Sequence, residues 1–155
     1  MTISNNQRRK MKSAARFFAV QALFQMEQTG QTAERIIREF EDHRFGEIID
    51  DVEMAEGDVD TFRRMIDRAV DLQASIDQMT DRALVAKWPI SRIDPTLRAL
   101  FRAAGAEMLS AQTPARVVIS QFVDTAKAFS PEGRETNFVN AVLDHMAREA
   151  CAAEF

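Results

Sequence analysis

The stretch NNQRRKMKSAARFFAVQALFQME, residues 5–27, decides how the rest of the chain is organised. It contains no acid before Glu27 and five basic residues, which are Arg8, Arg9, Lys10, Lys12 and Arg16. The chain has a net charge of −4, so with these five positive charges set aside the residues from Glu27 onward carry −9. A basic segment on an acidic body is typical of a protein with an anionic partner, most often a nucleic acid.

The order of residues in this stretch predicts a helix with two different faces. At 100° per residue, its apolar residues form one stripe: Ala15, Phe18, Ala19, Ala22, Leu23 and Met26. The opposite half carries Arg16, Phe17, Gln21, Phe24 and Gln25. Cations, aromatic rings and amides suit phosphate contact, base stacking and hydrogen bonding to base edges, which favours an exposed RNA-binding face. The alternative is that Phe17 and Phe24 pack into a second buried layer.

The length and composition indicate one domain, residues 1–155, with residues 1–13 forming a basic, flexible N-terminal arm. The only cysteine, Cys151, excludes an internal disulfide and fits a reducing compartment. No apolar run approaches the roughly 20 residues of a membrane span, and no secretory signal is recognisable. We therefore expect a cytoplasmic protein that does not bind membranes.

Apolar residues recur every three or four positions along most of the chain, which predicts six or seven helices packed as antiparallel pairs. Gly30 and Thr32 indicate the end of the first helix and the start of a second, from Ala33 to about Phe45. A last helix is predicted from about Thr136 to Ala150. The fold class is therefore all-α.

The middle of the chain predicts the remaining helices. Asp58 or Asp60 is expected to cap a long third helix that breaks near residues 75–77, and a fourth segment, residues 78–86, is expected to end at Trp88-Pro89. Asp94-Pro95 and Thr113-Pro114 each predict a helix start. The acidic stretch of residues 39–60, in which Arg44 is the one arginine, is interpreted as a solvated loop; the alternative is an electrostatic fence against RNA or a wrong partner.

The sequence contains no pattern typical of catalysis. The histidines, His43 and His145, are far apart and show no metal-ligand spacing with Cys151, and the five glycines form no phosphate-binding loop. An enzyme needs convergent groups in a pocket. We therefore predict no enzymatic activity, no catalytic residue, no metal site and no cofactor.

Four blocks of the sequence together resemble the NusB family of bacterial transcription antitermination factors. The first, ARFFAVQALF at residues 15–24, is similar to the family's A-R-x-x-A-x-Q-A-L-Y. The second runs from Arg92-Ile93-Asp94-Pro95 to Glu107-Met108-Leu109 and is similar to its R-x-D-P helix. The third, PARVVISQFVDTAKAF at residues 114–129, and the fourth, FVNAVLD at residues 138–144, follow in the family's order.

The resemblance implies an all-helical fold of two packed helical subdomains. It also implies binding to boxA RNA together with a NusE-type small-subunit ribosomal protein, and joining of RNA polymerase and other Nus factors, mainly during ribosomal RNA transcription. In that scheme the basic arm and Arg16 hold phosphates, Gln21 and Phe24 meet a base, and the last helix with its preceding turn adds Arg134, Phe138 and Asn140. It leaves open whether the free protein is a monomer or a homodimer.

The chain departs from the family pattern at several positions. Phe24 stands where the family usually has tyrosine, so it can stack but cannot donate a hydroxyl hydrogen bond. Three further departures are Ala106 for tyrosine, Ser120-Gln121 for Asn-Glu, and Ala141 for glycine. By pattern alone Phe138 is a core residue, and its contact with RNA follows only from the resemblance.

Two other functions remain open from the sequence. A helical protein-interaction module would use the basic segment to dock on an acidic partner without binding RNA. An RNA-modifying enzyme would need a following cofactor-binding domain, because NusB-like domains also precede some ribosomal RNA methyltransferases, and no such domain follows within residues 1–155.

Overall fold

A computed structural model of the protein describes residues 4–44, 48–49, 52–53, 56–84, 89–130, 133 and 135–155. Within these residues the chain forms seven α-helices: α1 (Asn5–Thr29), α2 (Ala33–His43), α3 (Glu56–Asp71), α4 (Gln73–Ala83), α5 (Pro95–Ser110), α6 (Ala115–Phe129) and α7 (Thr136–Ala150). Short 3₁₀ helices occupy Ile90–Arg92 and Ala152–Glu154. The predicted all-α class and helix number are confirmed.

Local capping chemistry sets several helix ends where the sequence predicted them. Gly30 closes α1 in the left-handed conformation, with φ +74°, and its amide donates to the Met26 carbonyl at 2.8 Å. The Thr32 hydroxyl accepts from the amide of Arg35 at 3.2 Å and starts α2. The Asp94 carboxylate accepts from the Thr96 amide at 2.7 Å, with Pro95 in the first turn of α5.

Other boundaries differ from the prediction. The acidic stretch contains two short antiparallel strands, β1 (Ile48–Ile49) and β2 (Val52–Glu53), and α3 already starts at Glu56. The break between α3 and α4 lies at Leu72, three residues before the predicted position. No side chain caps α4 there, so the break follows from packing. The Thr113 hydroxyl does not cap α6; instead the first amide of α6, on Ala115, donates to the Glu154 carboxylate at 2.9 Å.

Helix α5 lies at the centre of the hydrophobic core. It packs against five other helices, α1, α3, α4, α6 and α7. Its small residues allow close approach, because a Cβ on Gly105 would lie only 2.6 Å from Cγ2 of Ile76. The largest fully buried rings come from five helices: Phe18, Phe40, Phe62, Phe101 and Phe122. Among the described residues, no helix is long and apolar enough to cross a membrane.

Charged side chains join the end of α1 to α4 and α5. Arg98 forms an ion pair with Glu27 and also donates to the carbonyl of Ile90 at 2.8 Å. Arg102 donates to both oxygens of the Asp77 carboxylate at 2.9 Å and to Glu27 at 3.2 Å. The hydrogen bond from Arg98 holds the pKa of Glu27 below its ordinary value of 4.5. This cluster fixes the carboxyl end of α1 on the central helix.

We expect Glu27→Gln to lower the free energy of unfolding by about 2 kcal/mol at neutral pH, because it leaves two half-buried arginines without this partner. The pKa of Glu27 is lower in the folded chain than in the unfolded chain. Its contribution is therefore complete above the ordinary value of 4.5 and is lost as the pH falls through the folded pKa. Urea unfolding at neutral pH and at about pH 3 should show that the difference in free energy of unfolding between the wild type and Glu27→Gln is smaller in acid. An equal difference at both pH values would contradict this role.

Candidate nucleic-acid interface

The predicted basic arm continues helix α1 back to Asn5. The side chains of Arg8, Arg9, Lys10 and Lys12 are exposed, and none of them forms an ion pair with another described residue. At 100° per residue, Lys10 falls on the side of α1 that carries Phe24, whereas Arg8 and Lys12 fall on another side. Residues 5–13 therefore present positive charge around much of the helix.

Arg16 does not belong to this exposed set, which corrects the expectation that it holds phosphates. It is 5% exposed. Its Nε and Nη2 atoms donate to the two carboxylate oxygens of Glu107, both at 2.8 Å. Its Nη1 atom donates to Oε1 of Gln121 at 3.3 Å, and that oxygen also accepts from the Ser13 hydroxyl at 2.8 Å. Arg16 therefore joins α1 to α5 and α6 instead of facing an external anion.

Phe24 remains available as a stacking platform. Its side chain is 36% exposed and is among the large hydrophobic residues at the surface. It borders a cleft of about 400 Å³, here called the Phe24 cleft, which is lined by Val20, Gln21, Phe24, Gln25, Gln28, Arg44, Thr96 and Phe129. Aromatic rings, amides and one guanidinium can contact the face, the edge and the phosphate of a nucleotide. None of the acidic side chains that the structure describes lines the cleft.

Phe17 and Phe24 are predicted to lie on the same face of α1, but they are in different environments. Phe17 is half-buried and stacks on Phe129 of α6, with ring centroids 4.8 Å apart and an interplanar angle of 9°. The edge of Phe17 also meets Phe18, with centroids 6.0 Å apart. The second-layer interpretation therefore holds for Phe17, whereas Phe24 is exposed. The Phe17–Phe129 stack holds one wall of the Phe24 cleft in place.

Hydrogen bonds hold the other wall. The Gln25 side-chain amide donates to both oxygens of Glu39, at 3.2 and 3.1 Å, and to Oε1 of Gln31 at 3.0 Å. The bond from Gln25 is the main reason that the pKa of Glu39 lies below its ordinary value. Arg44, at the end of α2, lies over the ring of Phe40 at 5.2 Å from the centroid. The side chains of Gln21 and Gln28 form no hydrogen bond with another described residue, and both line the cleft.

The predicted residues of the last helix lie on a separate element. Phe138 is half-buried and meets the buried ring of Phe101 edge-on, with centroids 6.3 Å apart. Asn140 is exposed on α7. Arg134 lies outside the described residues. Phe129 is the last residue of α6, and α7 begins at Thr136. The Phe24 cleft and this second group are therefore close to each other along the chain.

Five residues that line the Phe24 cleft do not belong to the face predicted from the sequence: Val20, Gln28, Arg44, Thr96 and Phe129. The spacing of apolar residues in α6 favours a core position for Phe129, yet it is half-buried and lines the cleft. Arg44 was noted only as the single arginine of an acidic stretch. That isolation was a usable signal, because an unmatched cation among acids often has a specific position to fill.

The described residues show no arrangement typical of a catalytic centre. No group of three or more histidine, cysteine, aspartate or glutamate side chains among them could hold a metal ion. The Cys151 thiol donates to the carbonyl of Met108 at 3.5 Å, and burial raises its pKa. A raised pKa keeps the thiol protonated and makes it a poor nucleophile.

The fold and this surface define an all-helical protein with an aromatic and basic candidate RNA-binding face. A model of the NusB family matches residues 13–148. The transcription antitermination protein NusB of Maricaulis maris (strain MCS10) is 44% identical over 149 residues, which cover 96% of this chain and 92% of that protein.

Solved structures of NusB share the fold. That of T. maritima NusB matches with a TM-score of 0.73 and 26% identity, covering 89% of this chain and 91% of that one. A chain in a complex of the antitermination factors NusB and NusE with double-stranded RNA matches with a TM-score of 0.73 and 22% identity, covering 90% and 98%. The chain therefore belongs to the NusB family of transcription antitermination proteins.

We expect Arg16→Leu to lower the free energy of unfolding by about 3–5 kcal/mol, because the Glu107 carboxylate then stays buried without its partner. Glu107→Leu should cost a similar amount, and the double variant should recover most of the loss. Urea unfolding of the three variants measures the coupling. A double variant that loses the sum of the two single effects would show that the pair is not coupled.

Proposed function

We propose that this NusB-family protein binds single-stranded boxA RNA through the exposed face of α1. The observation that carries the proposal is the Phe24 cleft, in which an exposed ring lies among several amides on the helix whose amino end is basic. Stacking on an aromatic ring contributes about 1–3 kcal/mol per base. The cleft therefore has the chemistry to hold one unpaired base, and the cations of residues 8–12, about 18–24 Å nearer the amino end of α1, can hold phosphates further along the same strand.

The positions of Phe24 and Lys10 define a path for the bound RNA along α1. Lys10 lies on the same side of the helix as Phe24 but about 21 Å nearer the amino end, at 1.5 Å per residue. A strand that stacks a base on Phe24 can therefore follow this side of the helix and place its phosphates against the arm. Arg44 supplies a cation at the opposite border of the cleft. Phe138, Asn140 and Arg134 are proposed to extend the surface from α7 and its preceding turn.

We further propose that the RNA-bound protein pairs with a NusE-type small-subunit ribosomal protein and joins RNA polymerase with other Nus factors, mainly on ribosomal RNA operons. Support comes from the family membership and from the solved complex of NusB and NusE with double-stranded RNA, whose NusB chain has this fold. Recognition of an unpaired boxA element rests on the geometry of the Phe24 cleft rather than on that complex.

We expect Phe24→Ala to weaken binding of a labelled boxA strand by about 5- to 100-fold, because the base loses its stacking surface. Fluorescence anisotropy with boxA and scrambled strands, with and without a NusE-type protein, measures both affinity and sequence preference. Phe155→Ala is the matched control, because this ring is also exposed, at 46%, and lies at the end of the chain. Equal binding of boxA and scrambled strands by the wild type would reject sequence-specific recognition.

The basic arm should contribute mainly through its charge. We expect the triple change of Arg8, Arg9 and Lys10 to Ala to weaken binding and to reduce the slope of log K against log salt concentration by about 2, since each lost phosphate contact removes about 0.7. A triple change of Arg35, Arg38 and Lys127 to Ala removes the same charge from exposed positions elsewhere. An arm variant with the slope of this control would show that the arm does not contact RNA.

A further inference from the structure

A second cleft lies on another side of α1, away from Phe24. Its volume is about 450 Å³, and it is formed by α1, α3 and the end of α5, so we call it the α1/α3 cleft. Besides Arg16, three cations line it, Lys12 from α1 and Arg64 and Arg68 from α3. The hydroxyl groups of Thr61 and Thr113 and the amide of Gln112 add further hydrogen-bond donors, whereas the Ser110 hydroxyl already donates to the carbonyl of Ala106 at 2.8 Å.

The three cations are not neutralised by ion pairs within the described part of the chain. Their neighbour Arg63 differs, because it pairs with Glu41 of α2. Arg64 and Arg68 are four residues apart, so they lie one above the other on the same side of α3. The Arg16–Glu107 pair in the lining is already satisfied. The cleft therefore carries positive charge that no ion pair within the described residues neutralises.

Two acids, Asp67 and Asp71, also line the α1/α3 cleft. With the Arg16–Glu107 pair counted as neutral, the three cations and two acids leave the lining with a net charge of +1. The remainder of the chain is strongly acidic, so this cleft and the arm stand out as its positive region. The acids moderate the attraction for an anion but do not reverse its sign.

The lining favours a nucleic-acid backbone over a protein segment. A phosphodiester accepts hydrogen bonds and carries a negative charge, which matches the guanidinium, ammonium and hydroxyl donors. A protein partner would instead need an apolar anchor site. Among the described residues, Met65 is the only apolar one in the lining and is only 5% exposed, so this part of the chain offers no such site there.

The position of the cleft relates it to the Phe24 cleft. Lys12 lies twelve residues before Phe24, which is about 18 Å along the helix axis and about 120° around it. At about 3.4 Å per stacked nucleotide, this axial distance corresponds to about five nucleotides. Arg8 lies one turn before Lys12 on a similar side of α1, so the exposed arm connects the two sides of the helix.

We propose that the α1/α3 cleft binds the phosphate backbone of the RNA that flanks the boxA segment, so that the strand passes around the amino-terminal half of α1. The contact is independent of sequence, because it involves phosphates only. The inference rests on the proposed binding of RNA at Phe24, and it adds a second contact region on α3 with its own residues.

The test compares a short boxA strand with the same strand extended by an oligouridine flank, by anisotropy over a range of salt concentrations. For the extended strand, Arg64→Gln with Arg68→Gln should weaken binding about tenfold and reduce the salt slope by about 1.4, or 0.7 per lost contact. Binding of the short strand should stay unchanged. Arg35→Gln with Arg38→Gln on α2 is the control, because it removes two exposed arginines with a similar spacing.

A substitution that removes a negative charge from the cleft should have the opposite effect on binding and gives a second test. Asp71→Asn should tighten binding of the extended strand about two- to threefold, because it removes a repulsive charge from the cleft. Arg64, Arg68 and Asp71 are exposed, so these substitutions should leave the midpoint of thermal unfolding essentially unchanged. Thermal unfolding checks that each variant is folded.

The outcomes separate this inference from the proposed function. If the wild type binds neither strand, the proposed function fails and the inference fails with it. If the wild type binds boxA but the arginine variant binds the extended strand with wild-type affinity and slope, only the inference is overturned. If that variant keeps its RNA affinity and loses a NusE-type partner, the cleft is a protein-binding site and the inference is likewise overturned.

Discussion

The ion pair between Arg16 and Glu107 fixes how helix α1 is rotated in the fold. It brings a charged side chain of α1 into the interior, where Oε1 of Gln121 accepts a further hydrogen bond from Arg16 and one from the Ser13 hydroxyl. Together with the apolar stripe, this polar contact covers most of the helix circumference along residues 14–23. Only a narrow strip that includes Gln21 and Phe24 remains uncovered. A different rotation of α1 would bury the ring or leave the Glu107 carboxylate without its partner, and both changes cost free energy.

The same rotation gives the Phe24 cleft rigid walls. Phe17 is held against Phe129, and Gln25 is held by Glu39, so the groups beside the exposed ring are already in position. A ligand then loses less free energy to ordering the protein when it binds. The candidate site therefore draws on α1, α5, α6 and the end of α2, although most of its residues come from α1.

Features that depend on neighbouring residues could be predicted from the sequence, and features that depend on distant residues could not. The stops and starts at Gly30, Thr32 and Asp94 follow from local capping chemistry, and α7 has the predicted bounds. The burial of Arg16 depends on Glu107, which is 91 residues away. The periodicity of α1 placed Arg16 opposite the apolar stripe, and only the tertiary contact shows that this side is also covered.

The absence of a hydroxyl on Phe24 limits where sequence recognition can arise under the proposed function. A phenyl ring stacks on any base, and phosphate contacts carry no sequence information. Gln25 is already engaged by Glu39 and Gln31. The amides of Gln21 and Gln28 are therefore the groups of the cleft best able to read a base edge. Discrimination beyond one base must then come from α7 or from a partner protein, because the remaining contacts on α1 are made by charge.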